Sequence, residues 1–229
     1  MAKRSRLIKL ETYQHRQSGI QARSLNQRVL DKWLHDPQKD IVIAVGPAGT
    51  GKTLLACDRG MMAFRKGLYE KIIVTRPTVS VDEQLGYLPG DMNEKMEPWT
   101  RPIYDVFLAH LKDGELISQI KNRNIEVCPL AYMRGRTFKN SWIIADEMQN
   151  ATKEQMKMLL TRIGEGSKIV VTGDLKQHDR GYNTNGLKDF IERLKTTTVE
   201  HIALAELNNE DILRHPAVAK VLELYELTA

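Results

Sequence analysis

The clearest chemical signal in the sequence is a loop that suits phosphate groups. The pattern G-x-x-x-x-G-K-[ST] is matched by Gly46-Pro47-Ala48-Gly49-Thr50-Gly51-Lys52-Thr53, directly after the apolar run 41–45. Glycines let successive backbone N–H groups curl towards an anion, and a following helix adds the positive end of its dipole. We therefore expect this loop to bind a nucleotide, with Lys52 on the β- and γ-phosphates and Thr53 as a Mg²⁺ ligand.

Two adjacent carboxylates end a second apolar run. Asp146 and Glu147 follow Ile143-Ile144-Ala145, and in a P-loop fold such a strand end faces the phosphates. We expect Asp146 to hold Mg²⁺ through water and Glu147 to polarise the attacking water. A third apolar run, 170–172, leads to a polar turn that contains Gln177. Gln177 could sense the γ-phosphate, and a capped turn after a strand is the alternative.

The elements that must position these groups alternate along the chain. Apolar runs predict strands at 41–45, 72–75, 142–145, 169–172 and 199–204, and helices are expected at 24–34, 53–64, 99–111 and 152–163. Strands that alternate with helices indicate an α/β domain with a mainly parallel sheet flanked by helices. Thr152 and Gln155 have capping-box spacing at the start of the last helix. The stretch 79–98 contains two glycines and two prolines, so we expect an inserted loop there.

Composition narrows the class of protein. The chain has 229 residues, of which 41% are apolar and 28% charged, as in globular proteins. It has no run of about 18 apolar residues, so we expect no membrane span. No apolar segment follows the basic N-terminus as it would in a signal peptide. The two cysteines form neither a disulfide framework nor a zinc motif, so we expect a cytoplasmic protein.

The excess positive charge lies near the N-terminus. Residues 1–40 contain nine Lys or Arg and four Asp or Glu, whereas the rest of the chain is neutral overall. We therefore expect 1–24 to form a basic, partly disordered arm and 25–229 to form one domain. Such arms often contact nucleic acid, and a solvated tail that aids solubility is the alternative.

The motifs together resemble those of a known family. GPAGTGKT, DEMQ and GDLKQ, in this order, are similar to motifs I, II and III of superfamily 1 helicases. Longer stretches, with the distinctive LGYLPGD, LAYMRGRTF and EDILRHPAV, resemble the PhoH-like ATPase family over about 41–225. The short basic N-terminus is similar to compact, phage-encoded forms. The resemblance implies a single RecA-like P-loop NTPase domain that uses ATP and Mg²⁺.

Further site residues follow from the resemblance alone. Thr75 and Arg76 stand where motif Ia of related helicases contacts a single strand, although Arg76 could instead pair with a carboxylate. Gln27 precedes the first strand, as the adenine-reading glutamine does in related helicases. Four aromatic residues could stack on bases, but we expect them to pack in the core: Tyr87, Trp99, Tyr104 and Tyr132.

An arginine should complete the nucleotide site. Phosphoryl transfer of this kind usually needs one on the charge that develops at the γ-phosphate. The chain is too short for a second RecA-like domain, so its own C-terminal segment or a neighbouring subunit should supply the arginine. Arg214 is the first candidate. Arg134 and Arg136 are the others, and these two could instead bind nucleic acid or form structural pairs.

The sequence therefore predicts an ATP-hydrolysing protein that acts on single-stranded nucleic acid as a helicase-like or remodelling motor. The resemblance favours RNA over DNA. We expect a homo-oligomer, a hexameric ring with nucleotide between subunits. The alternative is an ATP-dependent switch that binds a protein or RNA partner without unwinding. The two hypotheses differ in whether single-stranded nucleic acid stimulates ATP turnover.

Overall fold

Six parallel strands form the sheet that holds the site together. The computed structural model describes residues 20–77, 92–177, 185–197 and 199–212. Within these ranges the strands are β1 (Ile41–Val45), β2 (Lys71–Arg76), β3 (Ile125–Pro129), β4 (Ser141–Ala145), β5 (Lys168–Gly173) and β6 (Ile202–Glu206). They pair in the order β3-β2-β4-β5-β1-β6, and every neighbouring pair is parallel. All the carboxyl ends therefore lie along one edge of the sheet.

Helices cover both faces of this sheet. They are α1 (Leu25–His35), α2 (Lys52–Arg65), α3 (Met92–Leu108), α4 (Asp113–Lys121), α5 (Lys153–Leu160) and α6 (Gly186–Lys195), with short 3-10 turns at Leu130–Met133, Met148–Asn150 and Asn209–Asp211. One apolar core contains Trp142 and Phe107 and lies under α1, α2 and α3. The other contains Met156 and Leu187, from α5 and α6. This arrangement confirms the expected α/β domain with a parallel sheet flanked by helices.

Local sequence signals determine where several elements begin. Ser24 caps α1: its hydroxyl accepts the N–H of Gln27 at 3.1 Å, and the Gln27 side chain accepts the N–H of Ser24 in return. Thr152 and Gln155 form the same reciprocal pair at the start of α5, as predicted. β1 has its predicted bounds, because a continuous apolar run suits a strand that is covered on both faces.

The region before α3 differs from the expectation. α3 begins at Met92 rather than at Trp99, so the last part of the predicted loop 79–98 is helical. The rest of that loop lies outside the described residues, as does most of the predicted arm 1–24. Among the described residues, no helix is long and apolar enough to cross a membrane.

Three further elements, β3, α4 and α6, lie outside the predicted set. β3 lies at the edge of the sheet, where Glu126 interrupts the apolar run and, within the described ranges, one side has no strand neighbour. α4 is short, whereas α6 carries Leu187, Phe190, Ile191 and Leu194 at the spacing of one helix face, a signal that could have found it. β6 is predicted at 199–204 but begins at Ile202.

A charged cluster joins α1 to α2, the helix that follows the phosphate-binding motif. The Arg59 guanidinium donates to Asp31 at 2.5 Å and also pairs with Asp58, and His110 lies 2.7 Å from the other Asp58 oxygen. Burial raises the pKa of Asp31, but hydrogen bonds from His35 and Arg59 outweigh burial and lower it to about 2. The ionised Asp31 carboxylate therefore stabilises the contact between the two helices.

The Asp31→Asn variant tests this contact. Because the folded pKa lies below the unfolded value of 3.8, the carboxylate contributes fully above that pH and its contribution is lost as pH falls towards 2. Because solvent screens a half-buried pair, we expect the variant to lose about 1 kcal/mol of unfolding free energy at pH 7, and less at pH 3. Urea unfolding at both pH values measures the difference. The exposed Glu192→Gln should change stability by less than about 0.5 kcal/mol, and an equal loss there would contradict the assignment.

Candidate functional site

Three neighbouring strand ends bring the predicted site residues together. β5 lies between β4 and β1 in the sheet, with Val45 opposite Gly173 and Ala145 opposite Val171. The phosphate-binding motif leaves β1, the acidic pair leaves β4, and the turn that holds Gln177 leaves β5. Parallel strands thus place three segments that are far apart in sequence at one edge.

The loop 46–53 curls tightly around its own lysine. Lys52 Nζ donates to the carbonyl oxygens of Gly46 and Pro47, both at 2.7 Å. Gly46 has a φ of +154°, and a Cβ there would lie 2.5 Å from the carbonyl oxygen of Leu207. Only glycine fits this position, because the segment that follows β6 packs directly against the start of the loop. The chain therefore holds the loop in the compact form that its sequence predicts.

Asp146 is the hydrogen-bond centre of the site. Its Oδ1 atom accepts the Thr53 hydroxyl at 2.8 Å and the Thr172 hydroxyl at 2.5 Å. A hydroxyl and a carboxylate this close are the hard oxygen ligands that suit Mg²⁺. The described residues contain no group of three or more His, Cys, Asp or Glu that could hold a metal. A Mg²⁺ ion here would therefore take its remaining ligands from phosphates and water.

Glu147 lies at the rim of the same site. Its backbone has a φ of +54°, the left-handed region, which turns the chain sharply out of β4. Arg76 Nη2 lies 3.4 Å from Glu147 Oε1, and Gln149 donates to Glu147 Oε2. Arg76 therefore pairs with a carboxylate, which is the alternative prediction for this residue. Strained backbone at a candidate catalytic carboxylate is common in active sites.

Gln149 is a site residue that the sequence reasoning missed. It is buried, and its Oε1 atom accepts the backbone N–H of Asp174 at 3.1 Å while its amide donates to Glu147. It therefore links the end of β4 to the end of β5. Its position as the last residue of DEMQ, a polar residue two places after the acidic pair, is the signal that could have found it.

These groups line one cleft of about 370 Å³. The lining includes Ala48, Gly49 and residues 51–53 of the loop, with Asp146, Glu147 and Gln177. The volume is within the usual range of ligand pockets. Burial lowers the pKa of Lys52, and the carboxylates of Asp174, Glu147 and Asp146 act against this shift. The predicted phosphate, metal and water-activating residues thus share a single cleft.

Gln27 braces the loop from the other side. Its Nε2 atom donates to the carbonyl oxygens of Thr50 at 3.0 Å and of Asp211 at 3.4 Å, and its Oε1 atom accepts the backbone N–H groups of Arg23 and Ser24. The amide is buried and already bonded to backbone at both ends. Gln27 therefore lies beside the loop, and its contact with adenine stays a prediction.

The residues predicted to bind nucleic acid differ in their exposure and in their contacts. Thr75 is fully buried, so its side chain has no surface for a strand, and this prediction does not fit the structure. Arg136 forms a two-pronged pair with Glu126, with Nη2 and Oε2 2.8 Å apart, which is the structural-pair alternative. Arg134 is exposed. Arg214 lies outside the described residues.

Tyr132 corrects another expectation. Its side chain is 59% exposed rather than packed in the core. Leu130 and Met133, on the same 3-10 turn, are buried and hold the turn in place. Trp99 and Tyr104 pack against the core as expected, whereas Tyr87 lies outside the described residues. An exposed aromatic ring and the exposed Arg134 therefore lie close in sequence beyond the carboxyl end of β3.

The fold and the site define the class of the protein. A glycine-rich loop between a buried strand and a helix, with an acidic pair at a nearby strand end, is the arrangement of a P-loop NTPase domain. The family model described as PhoH-like protein matches residues 19–226. The chain therefore belongs to the PhoH-like family.

Individual relatives agree with this family. A PhoH-like protein of Synechocystis sp. is 42% identical over 90% of this chain and 62% of its own, and one of Bacillus subtilis is 46% identical over 82% and 59%. Protein PhoH of Escherichia coli is 41% identical over 82% and 53%. Among solved structures, the UvsW helicase of a bacteriophage aligns with a TM-score of 0.46 and 10% identity over 90% of this chain and 67% of that one. The chain spans between 53% and 62% of these three curated relatives.

Two substitutions at Gln149 separate its contacts. Gln149→Leu leaves the buried N–H of Asp174 without its acceptor and should lower the free energy of unfolding by about 1–3 kcal/mol. Gln149→Glu retains an oxygen for that N–H but replaces the donor to Glu147 with a buried carboxylate, so at pH 7 it should lose at least as much. Urea unfolding of both variants gives the comparison. If the Leu variant were as stable as the wild type, the link between β4 and β5 would contribute nothing.

Proposed function

We propose that the chain hydrolyses ATP and acts on single-stranded nucleic acid as a helicase-like or remodelling motor, with RNA as the favoured strand. One observation supports the ATPase part above all: Thr53 and Thr172 both donate to Asp146, and Glu147 lies next to it in the same cleft. Phosphoryl transfer needs a metal-holding oxygen pair, a phosphate-binding loop and a group that orients water. The residues of this cleft are of the types suited to these three roles, which supports the proposal.

ATP is the substrate in this mechanism. Lys52 and the N–H groups of the loop 46–53 bind its β- and γ-phosphates. Glu147 orients a water and accepts its proton as the water attacks the γ-phosphorus, and the bond to the leaving ADP oxygen breaks. Gln177 contacts the γ-phosphate from the cleft lining. When bound, Mg²⁺ neutralises phosphate charge, and Thr53 and Asp146 are the residues that would hold it.

The nucleic-acid part of the proposal concerns the neighbouring strands β2 and β3. Arg76 ends β2 with its side chain about one-third exposed, and the exposed pair Tyr132 and Arg134 follows β3. Arginines bind phosphate, and an exposed tyrosine offers a face on which a base can stack. The basic residues of 1–24 would add further phosphate contacts. The preference for RNA depends on the family resemblance.

We further propose that copies of the chain assemble into a hexameric ring. The cleft opens along the carboxyl edge of the sheet, so a neighbour on that edge would exclude water and supply an arginine. Arg214 and Arg134 are candidates for that arginine, whereas Arg136 is already paired with Glu126. Both cysteines are buried and free, in keeping with work in the reducing cytoplasm. A monomer with full ATP turnover would contradict the ring.

Two substitutions test the ATPase proposal. Glu147→Gln should retain ATP binding but lower turnover by at least about 100-fold, because a positioned base contributes about 10²–10⁴. Lys52→Ala should weaken ATP binding itself, since it removes the charge that faces the phosphates. Phosphate release and ATP binding are measured for both purified variants. Near-normal turnover by Glu147→Gln would remove Glu147 from the catalytic role.

The same assay tests the nucleic-acid part. Wild-type turnover is measured alone, with single-stranded RNA, with single-stranded DNA and with a duplex of the same length. We expect single strands to raise turnover more than the duplex does, and RNA to raise it most. Equal turnover in all four samples would contradict an action on nucleic acid and favour a switch that binds a protein partner.

A further inference from the structure

One ion pair connects the predicted nucleic-acid edge with the candidate catalytic carboxylate. Arg76 ends β2 and Glu147 follows β4, and these strands are neighbours in the sheet. Arg76 Nη2 lies 3.4 Å from Glu147 Oε1, and the two side chains are 35% and 36% exposed. The arginine is therefore in contact with the carboxylate and is also accessible from solvent.

Both carboxylate oxygens of Glu147 have partners in this arrangement. Oε1 faces Arg76, and Oε2 accepts a hydrogen bond from Gln149. A general base needs a free lone pair directed at the water whose proton it accepts. A carboxylate oxygen has further acceptor sites, so the restraint lies in direction: while the ion pair is formed, Arg76 holds the Oε1 side of Glu147 towards the end of β2.

The two partners of Glu147 differ in how easily they can leave. Gln149 is buried and fixed by the backbone N–H of Asp174. Arg76 is partly exposed, and an ion pair with such exposure favours contact by only about two- to fivefold. A phosphate group binds a guanidinium through two parallel hydrogen bonds, which is a stronger arrangement than a single contact at 3.4 Å. A phosphate can therefore displace the carboxylate from Arg76.

We propose that Arg76 is a positioning residue that restrains Glu147 until a phosphate of a single strand takes the arginine away. Binding of the strand then frees Oε1 of Glu147 to accept the water proton, so nucleic acid turns on ATP hydrolysis. This inference rests on the proposed function and adds the contact through which the strand and ATP communicate. Gln149 retains Glu147 in place while Arg76 moves.

Substitution of Arg76 tests the restraint directly. Arg76→Gln should raise ATP turnover without nucleic acid by about two- to fivefold, the strength of the lost pair, and should abolish stimulation by single-stranded RNA. Arg76→Lys, which keeps the charge but loses the guanidinium fork, should raise the basal rate less than Arg76→Gln does. If Arg76→Gln folds and binds ATP but its basal turnover is unchanged or lower, the proposal is overturned.

A binding measurement gives a readout that does not depend on hydrolysis. The probe is a fluorescent 20-nucleotide single-stranded RNA, titrated without ATP. Glu147→Gln removes the competitor for Arg76 and should bind the RNA about two- to fivefold more tightly. In an Arg76→Gln background, the same Glu147→Gln change should have no effect. Glu165→Gln, the loss of an exposed carboxylate before β5 at the opposite edge of the sheet, controls for net charge and should leave affinity unchanged.

The outcomes separate this inference from the proposed function. If RNA stimulates the wild type but Glu147→Gln and the wild type bind RNA with equal affinity, the role of Arg76 is overturned and the proposed function stays in place. A wild type that neither binds single-stranded RNA or DNA nor responds to them overturns both.

Discussion

The site depends on one carboxylate oxygen that accepts two hydroxyl groups. Asp146 Oδ1 joins Thr53 at the start of α2 to Thr172 near the end of β5, and Asp146 itself follows β4. Two hydrogen bonds to one oxygen atom therefore join three segments that are distant in sequence. Glu147, Gln149 and the loop lysine take their positions relative to this point, because each lies on one of the same segments.

A second set of contacts holds the loop against the domain. The Gln27 amide donates to Thr50, and the start of the loop packs on Leu207. Asp211, which is buried, accepts hydrogen bonds from the Asn26 side chain and the Asn208 backbone, so α1 and the segment after β6 are joined there. The loop is therefore braced on both sides by residues outside the motif, which preorganises it for a charged ligand.

The sequence predicts the parts of this protein that depend on short-range patterns. The loop 46–53, the bounds of β1 and the capping box at Thr152 follow from residue types a few positions apart, and the structure confirms them. Contacts between distant residues are not predictable in this way. The Arg136 pair with Glu126 and the Gln149 link to Asp174 form only when the strands are side by side.

Burial was the least predictable property. A motif shows that Thr75 lies near the site but not that its hydroxyl is enclosed, because enclosure depends on the neighbouring strands and the turns beyond them. Tyr132 shows the opposite case. Its apolar neighbours in sequence suggest a core position, yet the 3-10 turn buries Leu130 and Met133 and leaves the tyrosine ring outside.

The most direct test of this account measures ATP affinity with and without Mg²⁺ in the wild type and in Thr172→Val. Thr172 contacts the candidate metal ligand Asp146, and loss of such a supporting contact typically costs about 10–100-fold in metal affinity. We predict that the gain in ATP affinity from Mg²⁺ falls in Thr172→Val and is retained in Thr172→Ser, while affinity without metal is unchanged. An equal gain in all three proteins would contradict the central role of Asp146.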